Sequence, residues 1–497
     1  MGKNTKNKKK IKGAEKTNLK TEKKLLLKQK KLLAKIGESD IEELLAKYRV
    51  DPIRKEASEI DCQPPSPRVN FSIVTHPTKD QLIFFGGEFF DGQKAEVYDD
   101  LFFYTPAKDS WTTLRGGEKP LPRCGHQMIT TATDGGQLWL FGGEFSSPSQ
   151  LQFHHYNDLW VFRIKDRRWE RIDSPGAPSA RSGHRMVLLK KRIFVFGGFH
   201  DNNQSYKYFN DVHIFSLEDY TWTKVDVAGV APPCPRSGCC MATTKNGSIL
   251  VWGGYSKASV KKDADRGTTH WDAFALLPDK HDEKIWKWSS VKMGGMRPPP
   301  RSGVTSVVAP NGRHYTFGGV MDTEEDEESI KGQFTNELHS FDVENRVWGK
   351  IECAPRVNEE KPQKDVEMEK VESTVGAFTV TVATKVPDKA SGHKAPVDEH
   401  FIEPSPRSHC GMAICKGTLF LFGGTVEEGS KDITLGDFYS IDLQKPTTWK
   451  TIIENKTNKM EWIGSESESD SDNESSNGGQ DTTSDESDDS DSDMDTN

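Results

Sequence analysis

Six Gly-Gly pairs, each directly after a short apolar run, constrain this chain more than anything else in it. The pairs are Gly86 and Gly87, Gly142 and Gly143, Gly197 and Gly198, Gly253 and Gly254, Gly318 and Gly319, and Gly423 and Gly424. The runs before them read LIFF, LWLF, IFVF, ILVW, YTF and LFLF. The first four pairs lie 56, 55 and 56 residues apart. A period of that length marks a repeat architecture, built from units that cannot bury their apolar faces alone.

Each unit carries three further marks. An arginine opens it: Arg68, Arg123, Arg181, Arg236, Arg301 and Arg407, in the strings PRVN, PRCGH, ARSGH, PRSGC, PRSGV and PRSHC. A polar turn and another apolar run follow the glycines: DDLFFY, NDLWVF, NDVHIF, a weaker WDAFAL, NELHSF and GDFYSI. A tryptophan closes the unit: Trp111, Trp169, Trp222, Trp286 or Trp288, Trp348 and Trp449. Apolar runs split by Gly, Pro, Asn and Asp predict four strands and three turns per unit. A four-stranded sheet cannot bury both faces alone, and radial stacking of such sheets hides them. The glycines suit a strand end pressed against a neighbouring sheet, where a residue without Cβ takes φ > 0. The tryptophans supply large apolar area on the outer strand.

These residues resemble the kelch repeat over roughly 64–455, and the resemblance implies a six-bladed β-propeller. Within that family, the lysine-rich start, the strings GGQLWLFGGEF and RSGHRMV, the YSK…KKD insertion of blade four and an acidic tail are similar to the Kelch domain-containing protein 4 group. The predicted architecture is all-β: a lysine-rich, partly helical arm (1–60), a kelch β-propeller (61–455, with a flexible insertion at 353–403) and a disordered Ser/Asp/Glu-rich tail (456–497). All six units run in register, with no strand borrowed to close the ring. Closure is left to packing between blades one and six, or to a strand from residues 58–63.

The net charge of −8 conceals two opposed ends. Residues 1–36 hold 14 lysines and two glutamates; residues 464–497 hold 13 acidic side chains and no basic one. In the arm, Leu19, Leu26, Leu33, Ile41, Leu44, Leu45 and Tyr48 recur at helical spacing, with a break at Gly37 and a cap at Asp40. KNKKKIK at 6–12 suits nuclear targeting or RNA contact through residues 1–36, though no aromatic interleaves the lysines for base stacking. The tail lacks the apolar area to fold. Ser465, Ser467, Ser469, Ser471, Ser490 and Ser492 each have an acidic residue three positions on, resembling casein kinase 2 acceptors, and the acidic tail could pair with the lysine arm. No 18-residue apolar run and no secretory signal is present, so no membrane contact is expected. Eight scattered cysteines without paired CxxC motifs read as buried thiols of a reducing compartment, cytoplasm and/or nucleus.

Alternating strand direction puts the loops after the glycines and those before each arginine on one face. That face is elaborated and the opposite one sparse, so binding is expected there. Glu88, Phe89, Glu144, Phe145, Phe199, His200 and Tyr255, directly after the glycines, are the candidate anchors for a protein partner. Ser182, Ser237, Ser302 and Ser408, directly after the arginines, are expected at the channel mouth; the kelch resemblance implies that such positions hydrogen-bond peptides. The arginines themselves are expected to bridge blades. Lys257, Lys261, Lys262 and Arg266 in blade four, beside Glu324, Glu325, Asp326, Glu327 and Glu328 in blade five, form a bipolar rim. Glu88 and Glu144 could start a carboxylate cluster, but no catalytic constellation, metal set or cofactor motif is recognisable. The reading is a monomeric, non-enzymatic scaffold that binds another protein through its loop-rich face. The alternatives are an assembly factor contacting ribonucleoprotein through its lysine arm and a metal-dependent propeller enzyme.

Overall fold

Each repeat folds into the four-stranded antiparallel sheet that its apolar runs and turns demand. A computed structural model describes residues 24, 27, 28, 30–49, 57–202, 205–229, 232–261, 264–279, 281–282, 285–326, 329–353, 372–375, 378–381, 402–429 and 431–456. The candidate phosphoacceptor serines, residues 1–23, most of 354–401, and Lys262, Glu327 and Glu328 lie outside the described residues.

From channel outwards, blade one runs Ser72–Thr75, Leu82–Phe85, Leu101–Thr105, Ser110–Arg115, and blade two Gln127–Thr131, Gln137–Phe141, Leu159–Arg163, Arg168–Ile172. Blade three runs Arg185–Leu189, Arg192–Phe196, Val212–Ser216, Thr221–Val225, and blade four Cys240–Thr243, Ile249–Trp252, Ala273–Pro278, Trp286–Ser290. Blade five runs Thr305–Val308, Arg313–Phe317, Leu338–Asp342, Val347–Ile351, and blade six Gly411–Cys415, Thr418–Glu428, Lys431–Asp442, Lys450–Ile453. Three blades gain a fifth, outer strand that the repeat does not announce. Ser58–Cys62 pairs antiparallel with Ser110–Arg115, while Val227–Gly229 and Gly294–Gly295 pair parallel with the outer strands of blades four and five.

The second strand of each blade is an apolar run without alternation because both its faces are covered. Leu82–Phe85 and Gln137–Phe141 are buried at every residue. Six apolar clusters result, one between each pair of neighbouring blades. The closing tryptophans belong to them: Trp111, Trp169, Trp222, Trp286, Trp288, Trp348 and Trp449 are all buried. The ring closes by packing. Phe71, Ile73 and Phe84 of blade one meet Phe420, Phe422 and Phe438 of blade six, and the Thr75 hydroxyl donates to the Ile414 carbonyl at 2.7 Å. The strand at 58–62 thickens the outside of blade one, and Cys62 at its end packs against the closing cluster.

The glycine pairs sit where backbones meet. Gly86 and Gly87 have φ of 66° and 97°, and a Cβ on either would lie 2.5 Å from the Arg123 carbonyl or 2.7 Å from Phe71 Cβ. A side chain at Gly86 would press on blade two, and one at Gly87 would clash with Val69 and Phe71 of its own blade. In the first five blades the second strand stops before the pair, as the sequence suggests: at Phe85, at Phe141 before Gly142 and Gly143, at Phe196 before Gly197 and Gly198, at Trp252 before Gly253 and Gly254, and at Phe317 before Gly318 and Gly319. Blade six corrects the expectation that every pair ends a strand. Gly423 and Gly424 lie inside the strand Thr418–Glu428, which passes them through a register shift against Lys431–Asp442. The reason is that a bulge absorbs the extra residue, so the ladder resumes at Gly424 opposite Leu435 instead of breaking. Within the insertion, Glu372–Val375 pairs antiparallel with Phe378–Thr381 as a hairpin.

Candidate functional site

Directly after the glycines, five blades raise a separate two-stranded hairpin. These are Glu88–Phe90 with Ala95–Val97, Glu144–Ser146 with Phe153–His155, Phe199–Asp201 with Tyr206–Tyr208, Tyr255–Lys261 with Ala264–Thr269, and Val320–Asp326 with Ser329–Phe334. In blade six the two middle strands continue past their bulge to the same height. The hairpins touch in series. The Ala95 amide donates to the Pro148 carbonyl at 2.8 Å, the Asp201 amide to His155 Nε2 at 2.9 Å, and the Thr269 hydroxyl to Asp322 at 3.3 Å. The elaborated face is thus a crown of β-hairpins, which explains how long loops keep a fixed shape.

Beneath the crown each arginine is buried. Arg181 donates to the Gly197 carbonyl at 3.0 Å, grips Asp211 with both terminal nitrogens at 2.6 and 3.0 Å, and lies 4.0 Å over the Phe209 ring. Arg123–Asp158, Arg236–Asp272 and Arg407–Asp437 repeat the fork, and Arg301 reaches Glu337 instead. Bidentate pairing holds the turn between second and third strands. Burial alone would push Asp158 up, but the Arg123 charge and hydrogen bonds bring it below the usual carboxylate range. The expected bridging of blades is corrected in one respect: each guanidinium stays within its own blade. The bridge is the arginine's main-chain carbonyl, which accepts from the second glycine of the preceding blade. The amides of Gly87, Gly143, Gly198 and Gly319 donate to the carbonyls of Arg123, Arg181, Arg236 and Arg407 at 2.9 Å each, and that of Gly424 to Arg68 at 3.1 Å across the closing seam. The second glycine is therefore a donor between blades, a role beyond the mere lack of a side chain that its spacing announces.

At the mouth, the residue after each arginine forms a two-way backbone bridge with the residue after each glycine pair: Val69 with Glu88, Cys124 with Glu144, Ser182 with Phe199, Ser237 with Tyr255, Ser302 with Val320 and Ser408 with Thr425. Each bridge lies within one blade, so the paired candidates recur once per blade around the mouth. Glu88 accepts from Asn70 Nδ2 at 2.9 Å. Glu144 sits between Glu88 and His155; its carboxyl is pushed up to about 8, first by burial and then by the Glu88 charge. Burial raises Glu88 as well. The imidazole of His155 supplies no counter-charge, because burial and His200 hold it at about 3 and its Nε2 accepts the Asp201 amide. Phe89, Phe199, His200 and Tyr255 are half-buried, with His200 stacked 4.6 Å from His155.

Three candidates are not free surface. Ser182 and Ser408 are buried, whereas Ser237 and Ser302 are half-buried. Phe145 is only 4% exposed, because the helix Ile41–Arg49 lies on it: Leu45 is fully buried against Val97, Phe145 and Tyr156, and Tyr48 meets Phe145 edge-on at 6.0 Å. Asp40 caps this helix, its carboxylate accepting the Glu42 amide at 3.1 Å, and Glu38 accepts from the Ser149 amide and hydroxyl at 2.9 Å each. Of the rim charges, Lys257 and Arg266 are exposed, and Lys261 and Glu324–Asp326 lie on the hairpin strands of blades four and five.

Sequence reasoning missed Asn70 and His155. Asn70 had a signal: it stands two residues after its arginine, where four other units carry glycine, and keeps their left-handed backbone at φ 56°. His155 had none, since its role depends on a hairpin pairing. Among the described residues no group of three or more His, Cys, Asp or Glu is placed to hold a metal, and no helix is long and apolar enough to cross a membrane. All eight cysteines are free thiols, five of them buried.

The family profile of the KLHDC2/KLHL20/DRC7 Kelch-repeats domain matches residues 37–254 and 201–366. Blade six lies beyond that span and is identified by its geometry. Leucine-zipper-like transcriptional regulator 1 of Pongo abelii is 25% identical over 387 residues, covering 73% of this chain and 41% of the relative. Kelch domain-containing protein 2 of Homo sapiens is 25% identical over 244 residues, 46% of this chain and 57% of the relative. N-(sulfonatooxy)prop-2-enimidothioate sulfolyase of Thlaspi arvense is 24% identical over 301 residues, 59% of this chain and 82% of the relative. This chain thus spans about two fifths of the regulator's length.

Proposed function

We propose a function from one premise: the chain belongs to the family of the KLHDC2/KLHL20/DRC7 Kelch-repeats domain. It is a non-enzymatic scaffold that grips a protein partner with the hairpin crown and the channel mouth, and within the family it stands beside the Kelch domain-containing protein 4 group, whose strings it shares. Regulator names among the relatives support a binding role, and the sulfolyase keeps an enzymatic relative in view. The lysine arm would tune location between cytoplasm and nucleus.

One observation carries the reading. Burial raises the proton affinity of both Glu88 and Glu144 on the elaborated face, and the Glu88 charge raises that of Glu144 further, with half-buried Phe89 and Phe199 alongside. A carboxylate pair that holds a proton near neutrality for want of a cation suits a lysine or arginine side chain from the partner. Entry of that cation releases the proton, so binding strengthens as pH rises through about 8, where Glu144 would ionise even without a partner. The test pans a random peptide display library against the full chain. Peptides carrying Lys or Arg should be enriched, bind tighter at pH 8 than at pH 6, and be lost with Glu88→Gln plus Glu144→Gln. Equal recovery on that double variant would remove the mouth from the function.

A further inference from the structure

Five of the six seams are stitched by the same three main-chain hydrogen bonds. Between blades one and two the Gly87 amide donates to the Arg123 carbonyl at 2.9 Å, the Arg123 amide to the Tyr98 carbonyl at 3.0 Å, and the Gly125 amide to the Asn70 carbonyl at 2.8 Å. Their equivalents recur at the seams two–three, three–four, five–six and six–one. Between blades four and five, among the described residues, all three are missing: the Gly254 amide does not reach Arg301, nor the Arg301 amide His270, nor the Gly303 amide Gly238.

The spacing agrees. A Cβ added to the first glycine of each other pair would lie within 2.8 Å of the next arginine's carbonyl, but at Gly253 the nearest atom is 3.9 Å away, and at Gly238 nothing lies within 4 Å. A cleft occupies the seam, lined among others by Trp252, Trp271, Trp348, Pro298, Arg301 and Glu337.

Two residues set this seam apart. The residue before the glycine pair is Phe in five units and Trp252 in blade four. Its larger ring is packed 4.9 Å from both His314 and Phe341 of blade five, and its buried Nε1 finds no acceptor. The residue before the turn carboxylate is Asn210 in blade three and Asn336 in blade five, whose side-chain amides latch onto the Pro233 and Pro404 carbonyls of the next blade at 3.1 and 3.2 Å. Blade four has Trp271 there, which makes no hydrogen bond to Pro298 and instead stacks 6.4 Å from Trp348. The crown hairpins of the two blades share the exposed Thr269–Asp322 hydrogen bond at 3.3 Å, and at the opposite face the Lys245 amide donates to Glu344 at 2.7 Å.

We infer that the ring opens at this joint: the crown ends of blades four and five part about the Lys245–Glu344 base, exposing the tryptophan cleft on the face that carries the mouth. Apolar packing without backbone stitching is the place where a local opening costs least.

The chain carries its own reporters. Adjacent Cys239 and Cys240 face different seams, Cys239 between blades three and four and Cys240 between four and five, while Cys410 lies between five and six. All three are buried. The full chain is treated with iodoacetamide under native conditions and modification at each cysteine is followed by peptide mass spectrometry. Cys240 should react about tenfold or more faster than Cys239 and Cys410. Its thiol is pushed up to about 11 by burial, which works against that result and makes it harder to obtain by chance. Trp271→Asn, which restores the latch residue of blades three and five, should slow Cys240 towards Cys239 and leave the others unchanged. Equal rates at Cys239 and Cys240 in the unaltered chain would overturn the joint, and a Cys240 rate untouched by Trp271→Asn would overturn its cause.

Discussion

Arg407 and Asp437 illustrate what one residue pair does for a blade. Both side chains are fully buried, joined by two charge-assisted hydrogen bonds of 2.5 and 2.7 Å, with the Gly423 carbonyl as third acceptor. Removing one partner leaves the other charge desolvated and alone, which costs about 3–5 kcal/mol. Asp437→Asn should therefore lower the urea midpoint strongly, whereas Glu218→Gln, which breaks the exposed Lys191–Glu218 pair, should leave it in place. The arginines were legible in the sequence because they recur, and so were the carboxylates before each third strand. Their pairing was not legible, nor that the arginine's carbonyl rather than its guanidinium crosses the seam to Gly143, Gly198 and their counterparts, because a main-chain direction leaves no residue signature.

At the scale of elements, the helix Ile41–Arg49 alters the candidate surface. Its spacing, its cap at Asp40 and the break at Gly37 were all readable, yet a lysine-rich arm gave no sign of where it would dock. Docking follows from Ile41, Leu44 and Leu45 meeting Val97, Phe145, Tyr156 and Leu121, and from Gln152 accepting the Ile41 amide at 3.0 Å. The contact is small and separate from the six blade clusters. Leu45→Asp should release the helix, so that limited proteolysis cuts within residues 41–57 many times faster while the thermal midpoint of the propeller barely moves. A parallel fall in that midpoint would mean that the helix is part of the ring's core. The hairpins, too, were visible only as long loops: their strands are short, and their pairing is imposed by the glycines that turn the chain upward.

For the whole molecule, closure is the deciding event. Blades one and six are built wholly from consecutive residues, so nothing covalent latches the ring and the aromatic seam must hold it. Phe71→Ala, at the centre of that seam, should cost about 3–5 kcal/mol in equilibrium unfolding. Ile60→Pro, which breaks the outer strand Ser58–Cys62 at an exposed residue, should cost far less. The reverse order would make the outer strand the latch.

Repetition by itself determined the number of blades, their strand order, the burial of arginine and tryptophan, and which face is elaborated, because each follows from local chemistry copied six times. Tertiary structure alone decided the rest: how closely Glu88 and Glu144 approach at the mouth, the helix lying over Phe145 and the unstitched seam beside Trp252. Each of these depends on how close two distant segments come, and distance between blades is set by packing around the full circle, which no single repeat contains.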